Sequence, residues 1–247
     1  MTVFRNVVFV AALAGLVAGI VLAALQAYAT VPLILKAETY ETAGGHDHAA
    51  DHAGAAPTEA APAEHAHEEE AWAPADGFER FSYNVGANVL SGIGFALILV
   101  VVSELAGGIA GWRQGVFWGF AGFAVFTLAP GLGLPPELPA MPAADLFDRQ
   151  VWWIATVVAT AAGLALIAFR RSVVFALVGV ALIVLPHIVG APQPASHDSP
   201  IPADLHHSFV VATTITNLLF WLVLGAVAGL VRLRLGGEEA GLRGRLA

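Results

Sequence analysis

Five histidines stand in two tight clusters, His46-Asp47-His48 with Asp51-His52, and His65-Ala66-His67 followed by Glu68, Glu69 and Glu70. Imidazole nitrogens suit cobalt, nickel, zinc and copper, and neighbouring carboxylates can complete the shell. His46, Asp47, His48, His52, His65 and His67 are therefore candidate metal ligands. They lie in a segment of Ala, His, Glu, Asp and Pro, residues 41–75, that has no apolar periodicity and little to bury. Such a composition predicts a flexible loop, able to wrap an ion but poor at discriminating among divalent metals. The bland reading of the same loop is a solvated linker that binds nothing in particular.

The rest of the chemical inventory is sparse. With no cysteine, the chain holds no thiolate zinc site, iron–sulfur cluster or covalent c-type haem. The lone lysine, Lys36, follows no glycine-rich loop, so there is no phosphate-binding P-loop. Neither a nucleophile–base motif nor HExxH is present, and no basic cluster points to nucleic acid. An enzyme is the least supported class, and no cofactor is expected beyond a bound or transported divalent metal.

Composition says what positions the histidines. Of the 247 residues, 57% are hydrophobic and only 12% charged, with a mean hydropathy of +0.74. A soluble domain of this size cannot cover its surface with so little charge, whereas a bilayer solvates apolar side chains. Crossing it takes about 20 apolar residues. Six stretches qualify: Asn6–Ala29, Tyr83–Leu105, Gln114–Gly131, Gln150–Phe169, Ser172–Val189 and His207–Val231. The expected fold is an all-α polytopic bundle, with five spans instead of six if the count is over-read or the first is cleaved. Arg5, the apolar run and Ala27-Tyr28-Ala29 do imitate a signal peptide. The chain divides into residues 1–40 (first span and outer extension), 41–75 (His/Glu/Ala-rich loop), 76–233 (membrane bundle) and 234–247 (tail).

Six spans place Arg5, Arg113, Arg170, Arg171, Arg232, Arg234, Arg243 and Arg245 on one side, against Lys36, Arg80 and Arg149 on the other. By the positive-inside rule both termini are expected in the cytoplasm of a bacterial cell, with the histidine loop across the inner membrane. All nine histidines, and all acidic residues except Glu104, Glu238 and Glu239, fall on or near the outer side.

Polar groups inside a bilayer are costly and often functional. Asn84 and Asn88 share a helix face, and Gln26, Asn217 and His187 also fall within spans. They either line a polar path or bond helices together. His187 follows Pro186, which removes a helical hydrogen bond, as intramembrane ion sites often require. Glu104 is expected to reach interfacial water, Asp145 and Arg149 to form an exposed pair, and Trp152 and Trp153 to anchor an interface. The pairs Gly15/Gly19, Gly115/Gly119 and Gly225/Gly229 are GxxxG spacings that permit close helix packing.

Several runs together resemble the CbtA family of probable cobalt transporter subunits, over nearly the whole chain. They are Pro32-Leu33-Ile34-Leu35-Lys36-Ala37-Glu38-Thr39-Tyr40-Glu41, Asp76-Gly77-Phe78-Glu79-Arg80, residues 128–139 (Leu-Ala-Pro-Gly-Leu-Gly-Leu-Pro-Pro-Glu-Leu-Pro), Arg149-Gln150-Val151-Trp152-Trp153, and Leu185-Pro186-His187-Ile188-Val189-Gly190-Ala191-Pro192. The resemblance implies cobalt uptake for cobalamin synthesis, about five spans, and a small single-span partner, CbtB, with histidines of its own. Within the matching runs, and at Asp145 in the Ala144-Asp145-Leu146 run, it marks Glu38, Glu41, Asp145 and His187 as positions for ion contact. Two functions follow. One is a permease subunit whose loop captures the ion and whose helices carry it. The other is a membrane-anchored binding or sensing protein that delivers the ion to a separate channel.

Overall fold

A computed structural model describes the backbone of residues 2–50, 74–75 and 77–246, and the side chains of residues 4–41, 74–75 and 77–235. Its order is α1 (Thr2–Ala29), α2 (Val31–Ala50), α3 (Phe78–Leu105), α4 (Trp112–Phe123), a π-helical turn (Ala124–Leu128), α5 (Ala129–Gly133), α6 (Leu146–Phe169), α7 (Val173–Val189) and α8 (Ala203–Leu246). The described residues form an all-α bundle of membrane-spanning helices.

Among the described residues, five helices are long and apolar enough to cross a bilayer: Phe4–Ala29, Phe78–Leu105, Trp112–Gly133, Leu146–Phe169 and Ala203–Leu235. The sixth expected span, α7, has only 17 residues, or roughly 26 Å of helix. It nevertheless runs back along α6. Cβ atoms added at Gly163 and Gly179 would each approach the other residue's carbonyl, to 2.5 and 2.6 Å. At the far end Trp152 Nε1 donates to Pro186 O at 3.2 Å. The three residues between α6 and α7, Arg170 to Ser172, make the tight turn read from the arginine pair.

Glycine sets the other seams. Gly15 and Gly19 in α1 lie against the backbone of α3 at Gly92, Ile93 and Val89, while Gly115 and Gly119 in α4 lie against Gly225 and Trp221 in α8. Where no side chain intervenes, backbones meet and dispersion contacts multiply, which replaces the hydrophobic driving force that lipid abolishes. Both pairs are antiparallel by these contacts. Between them Val10, Ala14, Leu99, Phe123, Trp221 and Leu224 fill one buried core. The hairpin α6–α7 stands to one side and touches this block through the π turn and α5.

The π turn has a local cause. Pro130 has no N–H for the carbonyl of Phe126, and its ring crowds that turn. The helix widens just before it, and Ala129 N–H reaches back to Ala124 O.

The stretch after Ala29 is not an extension of the first span. Thr30 breaks the helix, and its carbonyl accepts from Leu33 N and Ile34 N to open α2 at a new angle. Pro32 sits in the first turn, where its missing N–H is harmless. Ala37 of α2 packs with Leu138, Ile201, Leu205 and Phe209 into a second, smaller core. The backbone helix continues to Ala50, so His46, Asp47 and His48 fall on its last turns instead of in a loop. Their side chains, and all of His52, His65 and His67, lie outside the described residues.

Candidate functional site

The antiparallel seams sort the charges by bundle end. Arg5 opens α1, Glu104 closes α3, Arg113 opens α4, Arg170 follows α6, and Arg232 and Arg234 lie in the last turns of α8 that carry described side chains. All belong to one end, the arginine end. The opposite, acidic end gathers Glu38, Glu41, Glu137, Asp145 and His187 with Arg80 and Arg149. This division rests on helix contacts, and it matches the one read from charge counting.

At the acidic end a cap forms from α2, the proline-rich loop and the start of α8. Glu41 Oε1 accepts from Ala140 N at 3.1 Å, a residue held at φ 65°. His206 Nε2 lies 3.1 Å from Pro136 O. Leu138 is buried beneath. Glu38 is paired with Arg80, whose Nη1 lies 3.3 Å from its Oε2. Arg149 reaches Glu137 at 3.0 Å, so the expected pairing with Asp145 does not form. Asp145 instead caps α6, its Oδ1 accepting from Phe147 N at 2.9 Å and Asp148 N at 3.2 Å. That is the ordinary task of an aspartate at a helix N-terminus, and the reason Arg149 turns elsewhere.

His187 stands edge-on to the Trp152 ring, centroids 5.8 Å apart. Trp152 is buried, packed over Gly133, so the sequence expectation of an interfacial anchor fails for it. Its indole N–H is satisfied by Pro186 O, which fixes the ring against α7 and leaves no reason to seek the membrane surface.

Among the described residues no three His, Asp or Glu side chains lie close enough to hold a metal ion together. Glu38, Glu41, Asp145 and His187 share one end of the bundle without forming a single coordination shell. Glu38, Glu41 and Asp145 each already accept a hydrogen bond or ion pair. Ion contact there would proceed by exchange of these partners.

Three of the intramembrane amides bond to one another. Asn88 Nδ2 donates to Gln26 Oε1 at 2.7 Å and to Asn84 Oδ1 at 3.0 Å, tying α1 to α3. Asn217 Nδ2 donates to Thr213 O one turn back, at 2.9 Å. The first ties two helices together and the second lies within one helix. Glu104 does not reach interfacial water alone. It pairs with Arg232, whose Nη2 lies 2.8 Å from Oε2.

Sequence reasoning missed α2, the partners Arg80, Glu137 and His206, and the bond from Trp221 Nε1 to Thr127 Oγ1 across the π turn, at 3.2 Å. Thr30 followed by Pro32 was a helix-start signal that pointed to the first of these. The long-range pairs have no signal in spacing.

A comparison with protein-family models matches residues 4–232 to the family described as probable cobalt transporter subunit (CbtA). Searches of curated proteins and of solved structures return no match.

Proposed function

We propose, on the premise that this chain belongs to the CbtA family of probable cobalt transporter subunits, that it is the membrane subunit of a divalent-metal uptake system with cobalt as cargo. The observation that carries the reading is the segregation of charge among the described residues: carboxylates and imidazoles, with Arg80 and Arg149, gather at one end of the bundle, and the other arginines, with Glu104, at the opposite end. A negative surface concentrates cations before they enter. In this reading the bundle sits in the bacterial inner membrane with both termini cytoplasmic, and the histidine segment faces outward. There His46, Asp47, His48, His52, His65 and His67 collect the ion, with nickel or zinc competing.

From the loop the ion passes to the acidic cap. Glu41, Glu38 and then Asp145 offer oxygen donors, each by release of its present partner, and His187 offers a nitrogen donor. The ion crosses between helices together with a small single-span subunit of the CbtB kind. The bundle supplies sidedness, a concentrating field and a scaffold.

A second reading has the chain capture the ion and hand it to a separate channel. The absence of a three-ligand cluster among the described residues favours it. Deleting residues 44–70 separates the two. A permease subunit keeps cobalt uptake at high external cobalt, whereas a pure capture protein loses its whole effect.

The deciding experiment is uptake of radiolabelled cobalt and nickel in cells expressing the chain with and without its partner subunit. Topology reporters fused near His52 and near Arg171 test the orientation. Reporters in the same compartment would end the capture-and-import reading.

A further inference from the structure

Among the described residues, the α6–α7 hairpin meets the α1–α3–α4–α8 block chiefly through the π turn and α5. Toward the arginine end the two parts diverge and leave a cavity of about 640 Å³. Its walls come from α3, α4, α6 and Trp221, and include Ile98, Trp118, Ala121, Val158 and Ala165. They are apolar almost throughout. At the arginine end the lining finishes at Ala106, Gln114 and Phe169. Arg113 directly precedes Gln114, and Arg170 and Arg171 directly follow Phe169.

These arginines differ from Arg232. Arg232 is neutralised by Glu104. Arg113, Arg170 and Arg171 are exposed, and none forms an ion pair with a described carboxylate. Arg113 and Arg170 rest on the rings of Trp112 and Phe175, 5.5 and 5.7 Å from their centroids, each one residue from the cavity lining. The N-terminus of α4 adds its partial positive charge there. Exposed cations thus flank the arginine end of an apolar slot.

We propose that this slot is a binding site for an anionic glycerophospholipid, with an acyl chain between α4 and α6 and the phosphate at Arg113 and Arg170. Charge complementarity selects this occupant. Hydrocarbon fits the apolar walls, and cations that pair with no described carboxylate call for a phosphate, as basic pockets between transmembrane helices do. A neutral transmembrane helix from another protein would fill the walls and leave these cations unanswered. The site is independent of cobalt transport.

Native mass spectrometry of the full chain in mild detergent tests it, with phosphatidylglycerol and phosphatidylcholine of identical acyl chains supplied at equal concentration. Retention of phosphatidylglycerol should exceed that of phosphatidylcholine by about tenfold. The double variant Arg113→Gln/Arg170→Gln should abolish the preference. Ala165→Phe, which fills the slot away from these cations, should reduce retention of both lipids. Equal retention of the two lipids by the unaltered chain overturns the proposal, and needs no variant. So does an arginine-dependent preference that Ala165→Phe leaves intact, since the lipid would then lie outside the slot. Crosslinking of the partner subunit's helix to position 165, with loss of bound lipid in the complex, would assign the slot to protein.

Discussion

Arg232 of α8 is ion-paired with Glu104 at the end of α3, and the same guanidinium lies over Gly108 in the turn that leads to α4. One side chain therefore joins α8 to α3 and to the turn before α4 at the arginine end. Their side chains are 32% and 25% exposed, so each is largely withdrawn from water. Breaking such a pair leaves a charge without a partner. Arg232→Ala should destabilise the bundle by about 1–3 kcal/mol, measured by denaturant titration in detergent. Glu104→Gln/Arg232→Gln should be milder than either single change, because neither charge is stranded. A double variant no better than Arg232→Ala would show that the pair is not the relevant interaction.

The glycine seams should tolerate no side chain. A Cβ at Gly115 or Gly225 collides with the carbonyl of the facing glycine, and backbone cannot move aside. Gly225→Val should abolish folded protein in the membrane, while Gly86→Ala, whose Cβ meets nothing within 4 Å, should express normally. Quantifying folded protein by size-exclusion chromatography of the solubilised membrane fraction distinguishes them.

The amide cluster is expected to hold helices and not to conduct. Asn88→Leu should lower stability by about 1 kcal/mol, from two intramembrane hydrogen bonds of about 0.6 kcal/mol each, with cobalt uptake per folded molecule unchanged. Uptake that collapses at unchanged stability would return Asn88 to the path.

His187→Ala should abolish cobalt uptake at normal protein level if the imidazole contacts the ion. Trp152 and Pro186 keep their own hydrogen bond, so the local fold should survive, and helicity by circular dichroism checks that it does. Unchanged uptake removes His187 from the pathway.

Capture by the outer imidazoles carries a pH signature. Metal binding needs the neutral ring, and an unperturbed imidazole protonates below about pH 6.5. Uptake at low cobalt should fall as the outer medium is acidified through that range, and deletion of residues 44–70 should flatten the profile. An identical profile in the deletion variant would place the pH dependence elsewhere.

The bundle itself was legible because its signals are local. Apolar length marked the spans, Arg170-Arg171 marked the turn between α6 and α7, and GxxxG spacing marked two of the three glycine seams. The Gly163–Gly179 contact was not, because it joins single glycines on different helices. The site was less legible for the same reason. Asp145 and Arg149 are four residues apart, the spacing that brings side chains together on a helix, yet Asp145 stands at the N-cap and spends its carboxylate on backbone N–H groups. Arg149 then finds Glu137 across a proline-rich loop whose path no spacing encodes. Trp152 sits where interfacial tryptophans are common, and only the tertiary position of Pro186 O turns it inward.

The seams in which backbone lies directly on backbone have a mechanical meaning. Two helices locked carbonyl to glycine cannot slide or tilt without collision, so α1 with α3 and α4 with α8 behave as stiff beams. Any rocking that a carrier needs is left to the joint where the α6–α7 hairpin hangs from the π turn. Spin labels at positions 102 and 165 should report a spread of distances, while a pair placed across α1 and α3 should report a single narrow one.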